Sequence, residues 1–185
     1  MEAQDLDPPD ARVVILGWVI VALLAAGFGA CMAKGANRPD DPRLGESRIA
    51  GFGEIAFSMQ AAGAEITPTQ QCALLAATEQ QRARGLMTVT DLKGYAGMVF
   101  RYSADSAGGY YMKNTPMPLS IAWFAADGSF VSSTDMAPCG DRSDCPIYSA
   151  SGPYRYALEV PQGQLGSLGV GPGSVLQLTG ECPST

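Results

Sequence analysis

The sequence predicts a small, mainly β (α+β) domain, a curved sheet or barrel-like fold of about seven strands with one or two short helices. Two observations carry that expectation. Beyond Gly51, short apolar or alternating runs recur between Gly, Pro, Asn and Asp clusters, the pattern of strands broken by turns. Only one stretch, EQQRARGLM at 79–87, has clear helical character. The span 51–185, about 135 residues, is long enough to bury a working core.

In chain order, GEIAFSM (53–59) and CALLAAT (72–78) read as the first strands, the second apolar on both faces. The helical stretch follows, with Glu79 and Gln80 early and Gly85 as a stop signal. GMVFRY (97–102), GYYMKN (109–114) and LSIAWFAA (119–126) read as strands. Ala126-Asp127-Gly128 supplies a hairpin turn into SFVSSTDM (129–136), because Gly tolerates the positive φ such turns need. RYALEV (155–160) is a further strand, QLGSLGV (164–170) a short helical turn, and SVLQLTG (174–180) the closing strand.

Residues 1–12 form an acidic tail, and Val13 to Met32 is a run of twenty residues without a charge. At 1.5 Å per residue such a helix spans about 30 Å, enough to cross a bilayer. The segment is expected to be a membrane anchor or signal. An uncleaved anchor, a lipoprotein acylated at Cys31 and cleavage elsewhere all remain open, since Phe28-Gly29-Ala30-Cys31 resembles a lipobox but the leader is acidic. Residues 33–50, with Pro39 and Pro42, read as a polar linker to a domain at 51–185.

Topology signals conflict. Arg12 precedes the segment while Lys34, Arg38, Arg43 and Arg48 follow it, which would hold the domain in the cytoplasm. Cys72, Cys139, Cys145 and Cys182 argue for an oxidising, extracytoplasmic compartment, being even in number and without CxxC. We give the cysteines more weight. Of three possible connectivities, Cys139–Cys145 closes a short loop and Cys72–Cys182 ties the start of the domain to its end; four buried free thiols are the other reading.

The composition excludes several functions. A formal charge of −6 and the absence of a basic stripe make nucleic acid an unexpected partner. The chain has no histidine, so it carries no Ser-His-Asp or Cys-His centre and no His-based zinc site. No cofactor is expected. The methionines Met87, Met98, Met112, Met117 and Met136 are spread out, which suits core filling better than copper binding.

Several motifs occur in a specific order: Arg84-Gly85-Leu86-Met87, Gly97-Met98-Val99-Phe100, Tyr111-Met112-Lys113-Asn114-Thr115 with Pro118-Leu119, Leu158-Glu159-Val160 with Gly163, and Gly169-Val170-Gly171-Pro172-Gly173. Together they resemble DUF192, a bacterial and archaeal domain of unknown function. Ser174 stands where Asp is common in that family, and Tyr111 where Trp or Phe is usual. The resemblance covers roughly residues 54–182. It implies a small β-rich domain, often exported or membrane-anchored, with no established activity.

Within these motifs, Arg84, Lys113, Asn114 and Glu159 are the candidate ligand-binding residues. Lysine is scarce in the domain, and Asn114-Thr115-Pro116 also reads as a rigid strand-end corner. Glu159 lies in an apolar context; facing inward it needs a partner such as Arg84, and facing outward it needs none. The leading expectation is a non-catalytic, membrane-held binding module for a small molecule, an envelope polysaccharide or a protein. The alternatives are a carboxylate-dependent enzyme using Glu159 with Asp135 on a carbohydrate-like substrate, and a structural subunit of a membrane complex.

Overall fold

The computed structural model describes residues 47–63 and 70–183. Strands β1 (Gly53–Gln60) and β2 (Gln71–Ala76) precede helix α1 (Glu79–Arg84). Strands β3 (Met98–Ser106), β4 (Leu119–Phe124), β5 (Phe130–Met136) and β6 (Tyr154–Pro161) follow. A 3-10 turn at Gly166–Leu168 leads into β7 (Val175–Gly180). All seven strands join one sheet in the order β5-β4-β6-β3-β2-β1-β7. Every neighbouring pair is antiparallel except β2 with β3, which the α1 crossover makes parallel.

The sheet curls until its two edges meet at one end. Ser129, just before β5, bridges Val175 of β7; Phe130 N donates to Ser174 O at 3.0 Å and Leu176 N to Gly128 O at 2.8 Å. Gly128 turns this corner at φ 84°, and a Cβ there would run into the Leu176 carbonyl. Ser174, at the position where the family commonly has Asp, accepts from Gly171 N and donates to Gly171 O, fixing the turn before β7. The mainly β half-barrel of seven strands is the class the residue pattern implies.

Two cores result. Ile55, Phe57, Leu75, Val99, Phe124, Leu158 and Leu176 pack inside the curl. On the outer face, Leu74, Met98, Phe100, Ile121, Trp123 and Tyr154 are covered by Leu86, Val89 and Leu92 after α1, and by Tyr110, Met112 and Cys139 from two later loops. Gly97 lets β3 approach β6: a Cβ there would drive into the Glu159 carbonyl oxygen.

Local chemistry sets the element ends. Thr78 and Gln81 form a reciprocal capping box on α1. The helix stops at Arg84 rather than running on to Met87, because Gly85 takes φ 48°. The strand expected over 109–114 does not form. Tyr110 exchanges two 2.8 Å bonds with Tyr148, and isolated bridges follow at Lys113 and Thr115. Asn114 sits in the left-handed region at φ 54° and Thr115 N turns back to Met112 O at 3.0 Å, so no ladder can continue.

The acidic tail, the apolar run 13–32 with Cys31, and residues 33–46 lie outside the described residues. No helix among the described residues is long and apolar enough to cross a membrane. Residues 47–50, at the end of the expected linker, already contact the domain: Arg48 N donates to Tyr95 Oη at 3.1 Å and Arg48 Nη1 to Lys93 O at 2.7 Å. Cys72 is paired with Cys182 and Cys139 with Cys145, with Cα–Cα distances of 5.5 and 6.0 Å.

Candidate functional site

Between α1 and the outer face of the sheet lies a cavity of about 460 Å³. The C-terminal half of α1 and residues 85–87 form one wall, β3 supplies Phe100 and Tyr102, and the 109–115 loop supplies Tyr110, Tyr111 and Thr115. Strand β6 contributes Glu159.

Glu159 is the unusual member. Along β6 the side chains alternate, so Leu158 and Val160 enter the inner core while Glu159 projects outward beside Ile121 and Met98. Loops cover that side too, and only 5% of Glu159 remains exposed. Its carboxyl accepts no hydrogen bond and forms no ion pair among the described residues. Burial raises its pKa from the ordinary 4.5 to about 8, so near neutral pH it is largely protonated and can donate as well as accept. The reading of Glu159 as solvent-facing is therefore corrected: it projects from the outer face, but that face is covered too.

Around it stand polar groups that are only partly used. The Tyr102 and Tyr110 hydroxyls share a 2.9 Å hydrogen bond. Burial pushes Tyr102 up to about 12 and pushes Tyr110 higher still, with the neighbouring phenol Tyr102 adding to the rise. Arg82 lies over the Tyr102 ring at 4.6 Å, and its Nη1 donates to Ala77 O at 2.6 Å and Arg101 O at 3.0 Å. Arg84 lies over Phe52 at 4.7 Å, and its Nη1 donates to Ala50 O at 2.9 Å. Arg84 makes no ion pair with Glu159, although both line the cavity.

The four residues expected from sequence do not converge on one site. Arg84 and Glu159 share this cavity. Asn114 lines a second one, of about 400 Å³, with Thr88, Thr90, Pro116, Pro138, Cys139 and Gly140; Thr115 borders both. Asn114 N donates to Gly140 O at 3.4 Å, and its own carbonyl accepts from Thr88 N at 2.8 Å, which accounts for the residue as a corner. Lys113 lines neither cavity and pairs with Asp141 at 3.2 Å, both partly exposed. Arg82, Tyr102 and Tyr110 were not among the expected residues; the RAR spacing at 82–84 and the paired tyrosines at 110–111 were the available signals.

Asp135 does not join Glu159. It aligns with Ser120, whose other neighbour is Val160, and so projects from the opposite face of the sheet. There Ser120 Oγ and Gln162 Nε2 donate to it and hold its pKa below the usual aspartate value. A glycosidase needs two carboxyls flanking one bond, and this pair is separated by the sheet.

No curated protein matches the chain. Two solved structures match over almost their whole lengths. One, described as a "putative transcription regulator" from Sinorhizobium meliloti 1021, is 26% identical with a TM-score of 0.60, covering 69% of this chain and 95% of its own. The other, a protein of unknown function from Novosphingobium aromaticivorans DSM 12444, is 22% identical with a TM-score of 0.60, covering 78% and 99%; at that identity it speaks to the fold alone. Residues 62–178 match the DUF192 model, described as uncharacterized ACR. With more than half of its length in that match, the chain belongs to the DUF192 family.

Proposed function

We propose that the chain is a non-catalytic binding module that captures a small polar ligand in the cleft over Glu159. The observation that carries this is a glutamate only 5% exposed at a cavity wall, whose carboxyl has no partner among the described residues. Desolvating an acid against a cavity wall with no protein partner is unfavourable. Packing alone favours Leu there; a ligand supplying the missing hydrogen bond explains the acid. The cavity volume falls within the roughly 300–1,000 Å³ of small-ligand sites.

The test is a thermal-melt panel on the full chain in detergent, with monosaccharides, hydroxy acids, sugar acids and inorganic phosphate. At least one compound should raise the melting temperature of the parent and not of Met87→Trp, which fills the cleft. A panel with no such compound refutes the reading.

We further propose that residues 13–32 hold the module at the membrane with the domain on the extracytoplasmic side. The paired cysteines support this, since disulfides persist in oxidising compartments. A reporter active only in the cytoplasm, fused to Thr185, should stay silent; strong reporter activity overturns the placement.

A further inference from the structure

Resting on the binding reading above, we propose that the cleft recognises a sugar acid. The pyranose ring would stack on Tyr111, its carboxylate would meet the guanidinium edge of Arg82, which lies over the cavity-lining Tyr102, and a ring hydroxyl would bond Glu159.

Charge gives the first reason. The ionisable acids and bases on the cavity wall are Arg82 and Arg84 against Glu79 and Glu159. With Glu159 held neutral by burial, the cavity carries one net positive charge on a chain whose formal charge is −6. Each arginine uses only Nη1 toward backbone carbonyls; among the described residues Nε and Nη2 of both have no partner. That Nε/Nη2 edge is the side of a guanidinium that fits a carboxylate with two parallel bonds.

Shape gives the second. Tyr111 and Ile147 are the exposed large hydrophobic residues among those described, at 45% and 66%. They stand together, because the Tyr110–Tyr148 bridge sets positions 111 and 147 opposite each other. Tyr111 also lines the cavity. An exposed aromatic face beside a polar pocket suits a ligand with an apolar C–H face and hydroxyl edges, which a pyranose has and an open-chain acid lacks. Phosphate fits less well, because it would leave the Tyr111 face empty.

Isothermal titration of the full chain in detergent at pH 7 tests the class with three probes: D-glucuronate, its methyl ester, and D-gluconate. The ester keeps the ring and loses the charge; gluconate keeps the charge and loses the ring. Glucuronate is expected to bind at least tenfold more tightly than either. Tyr111→Ala should weaken glucuronate at least fivefold with an unchanged melt, and Arg82→Gln should abolish the preference for acid over ester. Equal binding of the ester or of gluconate overturns the sugar-acid assignment. So does absence of glucuronate binding. In each case a panel compound that still stabilises the parent but not Met87→Trp keeps the cleft as a binding site.

Discussion

The two faces of the sheet are both buried, yet they treat polar groups differently. Inside the curl the core is Ile, Phe, Ala, Leu and Val, and Ser120, which shares that face, is fully engaged: it donates to Asp135 and accepts from Gly163 N at 2.9 Å. On the outer face Glu159 is buried among hydrocarbon neighbours and has no partner among the described residues. Trp123 Nε1 on that face is fully buried without a partner among the described residues. Folding alone accounts for the inner face. The outer face carries polarity that packing does not require, and the cavity lies on that side.

The sharpest way to break this contrast is to titrate Glu159. Its pKa is raised on folding, so its stabilising neutral form is fully present below about 4.5 and is lost as pH rises through about 8. Between those limits the protein should lose stability, on the order of 5 kcal/mol at most by the linkage relation. Chemical denaturation at pH 5, 7 and 9 measures the slope, and Glu159→Gln should flatten it. An equal slope in the variant means that Glu159 is ionised and solvated in the folded state.

Truncation of the inner core comes next. Phe124→Ala should cost about 4 kcal/mol, since it opens a cavity where neighbours from several strands converge. Denaturant melts report it, and a loss below about 1 kcal/mol would show the inner core to be loosely packed.

The Asn114 corner gives the smallest effects. Asn114→Leu should cost about 1–2 kcal/mol and Asn114→Gly almost nothing, because only the left-handed backbone is at stake. Lys113→Met should change stability by less than about 0.5 kcal/mol, its pair with Asp141 being solvent-screened. Comparable losses at Lys113 and Asn114→Gly would instead make this corner a polar network.

How much of this was legible depends on how far apart the deciding residues lie. Period-two alternation and turn chemistry are local, so the strands of the sheet and the Ala126-Asp127-Gly128 hairpin could be read directly. Tyr110 to Asn114 misled because the alternation looks like a strand, while the deciding fact is the positive φ at Asn114. For Glu159, the neighbours Leu158 and Val160 announce one buried face. The other face is covered by Leu86, Tyr110 and Met112, residues up to 73 positions away that no window around YALEV contains. Arg84 was legible as a member of a motif, but Arg82 and Tyr102 meet only after the crossover brings α1 against β3.

The meeting of β5 and β7 bears on how copies of this protein behave toward one another. An open sheet offers a row of free amides and carbonyls on each outer strand, a template for any neighbouring chain. Here the rows are clasped at Gly128, Ser129, Val175 and Leu176. Beyond the clasp, β5 presents Ser132, Ser133 and Thr134 in place of an apolar strip. A side chain at Gly128 would press the clasp open against the Leu176 carbonyl. The expected product of such a lesion is a folded protein that polymerises edge to edge.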